Sequence, residues 1–226
     1  MQCLCLGADP GLAGQVNVAG TRWLAEASRH AGIERFVHVS SMSVHGEPQP
    51  DGLREDSPLR PDAAHPYVAS KARAELELTG AGSRGLPVVI LRPGAICAAT
   101  RSRWGDGLVA RLRRTGWPPD RHPGDVIPWV HGQDLAGMTW LAATCPAAAG
   151  QVFLAVDRNV TLGEYFVPII TALGHPVCPP DRAPVLSRCR IGKIRQALGY
   201  APQQTFEHTL GELIQLARIS GAVRAE

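Results

Sequence analysis

Apolar and polar positions along this chain fall into blocks whose period changes several times. The short run from Cys3 to Leu6 leads into the glycine-spotted "GADPGLAG", the pattern of a strand ending in a turn. From Asn17 to Ala31, Gly20, Leu24, Ala27 and Ala31 recur at helical spacing, and "GIERFVHVSS" then supplies a stop glycine and a strand. The polar, proline-rich "EPQPDGLREDSPLRPDAAHP" reads as a surface excursion. After it, Tyr67 to about Gly80 has the Ala, Glu and Leu content of a helix, and "LPVVILRPGA" is a further strand.

Strands with apolar, β-branched runs alternating with helices predict an α/β fold whose parallel sheet is covered on both faces. Beyond Ala99 the pattern changes to an arginine-rich amphipathic segment, "VIPWVH", a helix from about Asp134, "GQVFLAV", and helices near 161–173 and 205–218. This second part is expected to form a smaller mixed lobe beside the sheet. The expected division is 1–98 for the sheet domain and 99–226 for a mostly substrate-binding lobe with some segments returning to the core.

Composition narrows the class. At 226 residues, 45% hydrophobic and 19% charged with a net charge of +3, the chain has enough apolar material for a sizeable core and no acidic or basic tail. Nucleic acid is therefore not an expected partner. Six cysteines without a CxxC pair fit neither a zinc site nor a disulfide scaffold, and are expected to be mostly reduced, buried thiols. "MQCLCLGADPG" has no basic leader and no stretch of about 18 apolar residues occurs, so the expectation is a soluble, cytoplasmic protein with no metal and no membrane partner.

The candidate chemistry lies in "HPYVASKARAEL", where Tyr67 precedes Lys71 by one helical turn. Residues four apart on a helix sit over one another. A unit charge about 4 Å from a phenol is worth roughly 4 kcal/mol at an effective dielectric near 20, enough to lower its pKa by up to ~3 units before desolvation opposes it. The phenol then becomes a usable acid or base. Lysine is scarce here, at positions 71 and 193 alone, so chance supplies only roughly 0.03 such pairs. The alternative is a solvated pair that happens to have this spacing.

Taken together, "NVAGT" at 17–21, "RFVHVSSMSVHG" at 35–46, "PYVASK" at 66–71, "VVILRPGAI" at 88–96 and "WVHGQDLA" at 129–136 resemble the extended short-chain dehydrogenase/reductases, the NAD-dependent epimerase/dehydratase family. The resemblance implies a Rossmann-like sheet and hydride transfer between NAD or NADP and a secondary alcohol or ketone. It makes Tyr67 the proton-transfer group, Lys71 the residue that lowers its pKa and holds the nicotinamide ribose, and Ser41 the hydroxyl that bonds the reacting oxygen. Ser41 is preferred to Ser40 because it stands five residues before Gly46. The alternative for Ser41 and Ser43 is a strand end whose hydroxyls cap loop backbone. The same resemblance places the cofactor against Gly7, Ala8, Asn17, Tyr67, Lys71, Pro93 and Ala95, with Asn17 supporting the site from the preceding helix.

Two departures narrow the implied chemistry. Met42 and Ser43 stand where the family's dehydratases carry Asp-Glu, which argues against dehydration, and Ile96–Ala99 replaces the usual Tyr-Gly-Pro continuation. The family's glycine-rich phosphate loop after the first strand is also missing: "GADPGLAG" has the wrong spacing and runs directly into "NVAGT", as at the family's fourth strand. Two strand-helix units, roughly 60 residues, are thus expected to be absent ahead of Met1. That leaves two readings, an enzyme truncated at its N-terminus, or a non-catalytic binding protein that keeps the scaffold. It also leaves the Cys3–Leu6 strand as an exposed edge.

The remaining candidates are weaker. Arg101, Arg103, Arg111, Arg113, Arg114 and Arg121, with Trp104 and Trp117 interleaved, fall where family members bind a nucleotide diphosphate, or form a solvated helix face. Asp134 is expected to cap its helix. The substrate is expected to be a small molecule, whether a nucleotide sugar, a sterol-like alcohol or a secondary-metabolite ketone, and the assembly a homodimer.

Overall fold

The structure, a computed structural model, describes residues 10–222. The expected strand at Cys3–Leu6 and the cofactor positions Gly7 and Ala8 lie outside the described residues. In chain order the elements are α1 (Pro10–Ala13), a π-helical stretch (Gly14–Ala19), α2 (Gly20–His30), β1 (Phe36–Val39), a 3-10 turn (Met42–His45) and α3 (Pro66–Ser83). There follow β2 (Val88–Pro93), β3 (Ala95–Cys97), α4 (Asp106–Thr115), β4 (Val126–His131), α5 (Gly132–Thr144), β5 (Val152–Ala155), β6 (Arg158–Thr161), α6 (Leu162–Ala172), α7 (Lys193–Leu198) and α8 (Phe206–Ala222).

One sheet is parallel throughout, in the order β1-β2-β5, with His38 opposite Ile90 and Leu91 opposite Phe153. All six residues of the central strand β2 are buried, as its continuous apolar run requires when helices cover both faces. On one face Phe36, Val88 and Ile90 pack with Ala25 and Leu78 of the α2–α3 layer. On the other, Val89, Leu91 and Phe153 pack with Leu135 and Met138 of α5 and with Ile194 and Leu198 of α7. Segments beyond residue 99 thus complete the core of the first sheet.

The run "LPVVILRPGA" is not one strand. It breaks at Gly94, where a Cβ would lie 2.3 Å from the Pro128 carbonyl oxygen, so only glycine lets the two strands approach this closely. Past that point β3 pairs with β4 in a second sheet, β3-β4-β6, closed by the antiparallel pair β4–β6. This sheet carries the second core, in which Leu108 and Leu112 of α4, Phe166 and Ile169 of α6, and Phe206 and Leu213 of α8 surround Trp129. The Trp129 and Phe206 rings meet edge to face at 5.4 Å.

The apolar stripe of α2 corrects the sequence expectation. Leu24 is 60% exposed and Trp23 66%, while Ala27 and Ala31 also face out. The side turned to α3 instead carries Ala25, packed with Leu78 and Ala81, and, from the preceding π-helical stretch, Asn17, bonded to Ser70. "GADPGLAG" is also not a loop beyond residue 10, since Gly11 lies in α1 and Gly14 opens the π-helical stretch. Among the described cysteines, Cys97 and Cys189 are buried, Cys145 is half-buried and Cys178 is exposed, all as free thiols. No helix among the described residues is long and apolar enough to cross a membrane.

Candidate active site

Three elements converge at the C-terminal ends of β1 and β2, the edge where open α/β sheets bind their ligands. The Ser40 backbone N–H still donates to the Leu91 carbonyl at 2.7 Å, so the ladder ends there and Ser41 is the first residue released from it. Ser41 caps the 3-10 turn, its Oγ accepting from the Ser43 backbone N–H at 3.2 Å. Pro66 at the first position of α3 fixes the helix start, which places Tyr67 in the opening turn and Lys71 one turn on. Lys71 is 5% exposed, and its Nζ donates to the Val39 carbonyl at 3.0 Å, the last residue of β1.

Asn17 reaches the same helix from the π-helical stretch. Its Nδ2 donates to Ser70 Oγ at 3.0 Å, and Ser70 Oγ donates to the Tyr67 carbonyl at 3.1 Å. The wider π turn is what carries this buried amide to α3, in keeping with the clustering of such turns at functional sites. Pro93 and Ala95 flank the Gly94 break, Pro93 opposite Ala155 and Ala95 opposite Trp129, both buried at the sheet's edge. Ser41, Tyr67, Lys71, Asn17 and Pro93 are therefore gathered in one region, with Ala95 beginning the second sheet.

Burial raises the Tyr67 phenol above its usual range, with the Ser41 hydrogen bond opposing it, Glu47 adding to it and Arg103 opposing it again. Desolvation outweighs the charge of Arg103, so the phenol of the free protein stands in its acid form at neutral pH, above its usual range and not below it as the spacing to Lys71 implied. Lys71 is pushed down to about 8 by burial, against an upward pull from Glu75. An unfolded lysine holds its proton to about 10.4. Between those two values the unfolded chain binds more protons, so this group makes stability rise with pH across that window, by roughly 3 kcal/mol in all. The difference in unfolding free energy between the native chain and Lys71→Met, followed from pH 7 to pH 11, is expected to trace that rise, and a flat difference would contradict the burial of the ammonium.

Two parts of the site were not visible as such in the sequence. His38 on β1 has an enclosed Nε2 without a partner among the described residues, and burial followed by the Lys71 charge pushes it down to about 3, so it is neutral. Arg92 and Glu75 form a buried ion pair at 2.6 Å behind Lys71. The available signals were a histidine inside the strand "FVHV" and an arginine ending the apolar "VVIL".

The basic stretch separates on folding. Burial lowers the Arg111 guanidinium's pKa, and the charges of Arg103 and Arg121 lower it further against a single opposing carboxylate, Asp120. These three form a cationic cluster, and Arg103 also acts on Tyr67. Arg113 points elsewhere, to the Leu216 carbonyl on α8. Asp134 departs from its expected capping role. The His131 ring caps α5 through Gln133 N–H at 3.2 Å, while the Asp134 carboxylate accepts from the backbone of Gln203 at 2.8 Å and Gln204 at 3.0 Å, fixing the approach to α8.

Residues 7–155 match the NAD dependent epimerase/dehydratase family, and the chain belongs to it. It is 29% identical over 224 residues to a UDP-glucose 4-epimerase of Mycolicibacterium smegmatis, covering 93% of this chain and 71% of that protein. A mouse dTDP-D-glucose 4,6-dehydratase is 41% identical over 164 residues, covering 67% of this chain and 39% of the relative. Among solved structures, a short-chain dehydrogenase/reductase superfamily protein from Agrobacterium tumefaciens with bound NAD superimposes with a TM-score of 0.76 at 26% identity, covering 99% of this chain and 79% of that one. The Rossmann-like architecture is thereby established.

Proposed function

We propose that this chain is an NAD(P)-dependent oxidoreductase or epimerase acting on a secondary alcohol or ketone of a nucleotide sugar. The observation that carries the reading is the meeting of the Tyr67–Lys71 helix and the Ser41 cap at one edge of the sheet, with Arg103 of the arginine cluster close enough to act on Tyr67. Similarity to enzymes named for UDP- and dTDP-sugars supports the choice of substrate class.

The donor set suits the cofactor. Lys71 carries three N–H donors and spends one on Val39, so its ammonium can serve a ribose diol. Ser70 and Asn17 hold α3 from behind, which keeps Tyr67 and Lys71 in register. NAD(P), when bound, supplies or accepts the hydride. In ketone reduction Tyr67 Oη gives its proton to the forming alkoxide while Ser41 Oγ donates a hydrogen bond to the same oxygen, and in oxidation the proton returns to the phenolate. Lys71 stabilises that phenolate, so the charged lysine is the competent form. The guanidinium cluster would take a diphosphate in charge-assisted bonds.

Calorimetric titration of the chain with NADH, NADPH, UDP and dTDP tests the reading. Saturable binding of one reduced cofactor and one diphosphate is expected, with Arg111→Ala weakening the diphosphate by about 10-fold or more, in a salt-dependent manner. Diphosphate affinity unaffected by Arg103→Ala and Arg111→Ala would remove the nucleotide-sugar assignment, and no cofactor binding at millimolar levels would remove the enzyme reading for this polypeptide.

A further inference from the structure

Arg92 is the next-to-last residue of β2, whose six residues are all buried, and every arm of its guanidinium is occupied. Nε lies 3.1 Å from both Glu75 carboxylate oxygens and Nη2 lies 2.6 Å from one of them. Nη1 donates to the Glu55 carbonyl at 2.7 Å and meets His45 Nε2 at 3.2 Å. His45 closes the 3-10 turn that Ser41 opens, and its Nδ1 faces the Pro58 carbonyl at 2.9 Å. Since Nδ1 faces an acceptor and Nε2 faces a donor, the ring is held as the neutral Nδ1–H tautomer. One side chain on β2 therefore fastens the catalytic helix, the Ser41 turn and the long excursion at once.

Buried ion pairs are poor stabilisers, because desolvation cancels much of the attraction and apolar residues of the same volume often serve as well. An apolar pair could not perform two things that this one does. It could not orient three separate segments through directed hydrogen bonds, and it could not put a carboxylate one turn beyond Lys71. Tyr67, Lys71 and Glu75 stand at successive four-residue steps along α3. Lys71 interacts electrostatically with Glu75 on α3 and His38 on β1, Tyr67 stands one turn before it, and Arg92 on β2 with the neutral His45 of the turn lie on the far side of Glu75.

We propose that the Arg92–Glu75 pair is a positioning device of this site, which sets the Ser41 turn against the Tyr67–Lys71 helix and maintains Lys71 as a cation by holding a carboxylate beside it. The link to turnover rests on the function proposed above, but the charge state of Lys71 can be read without cofactor or substrate. Because the chain contains only two lysines, Lys71 and Lys193, protein labelled with 13C at the lysine ε-carbon gives two resolvable titrations.

In Glu75→Gln, and in the double variant Glu75→Gln with Arg92→Gln that leaves no arginine without its carboxylate, the Lys71 midpoint is expected to fall, by ~1 unit in the single variant, while Lys193 stays in place. Where turnover is measurable, its alkaline limb should move down by the same amount, and Glu75→Asp should restore part of both. A Lys71 midpoint unchanged in the folded double variant overturns the proposal. So does a double variant that fails to fold, since the pair would then be a structural necessity and not a positioning device. Failure of the enzyme reading itself would show instead as absent cofactor binding by the unaltered chain, with the lysine titrations untouched.

Discussion

Tyr67→Phe is expected to lower hydride-transfer turnover by ~10²–10⁴-fold while leaving the fold and cofactor affinity in place. The phenol oxygen is the group aligned with Ser41 that can exchange a proton with a reacting oxygen, and phenylalanine keeps the ring while deleting that group. Because no buried partner is left charged and only the Ser41 hydrogen bond is lost, stability should fall by no more than about 1 kcal/mol. Steady-state kinetics with UDP- and dTDP-sugars, alongside urea unfolding of both proteins, provide the measurement. Turnover that survives the substitution would move proton transfer to another residue and break the link between the Tyr67–Lys71 spacing and chemistry.

Arg92→Ala is expected to produce the largest loss of stability, ~3–5 kcal/mol, out of the 5–15 kcal/mol ordinary for a domain. The side chains of Arg92 and Glu75 are 5% and 2% exposed, so truncating the arginine leaves an interior carboxylate without its guanidinium partner, facing only Lys71, whose ammonium already donates to the Val39 carbonyl. The same change frees the Glu55 carbonyl and His45 Nε2. A shift in urea midpoint at constant slope would report it cleanly. A loss below about 1 kcal/mol would mean that water reaches Glu75 once the guanidinium is gone.

These two residues differ in how far the chain itself announces them. Tyr67 and Lys71 are four apart on a helix that proline starts, so their juxtaposition is a local property and the spacing carries it directly. The same holds for the strand character of "VVILRP" and the helix from 66 to 83, whose burial follows from composition and period. Ser41 is an intermediate case: the motif named it, but its separation from Ser40 depends on where the ladder to Leu91 ends.

What only the tertiary structure decided concerns contacts between segments distant in sequence. Leu24 and Ala27 have the spacing of a core face, yet the partner helix α3 takes the side of Asn17 and Ala25, where Asn17 bonds Ser70 and Ala25 packs on Leu78 and Ala81. Gly94 divides one apolar run between two sheets because the Pro128 carbonyl crosses that point. Asp134 holds the backbone of Gln203 and Gln204, some 70 residues away, in place of its own helix end. Arg92 and Glu75 look like an oddly polar strand end and a surface carboxylate until β2 and α3 are laid together. Periodicity encodes what a residue's own turn or strand will do, whereas the occupant of the opposite face is set by strand order and loop path, which no local pattern contains.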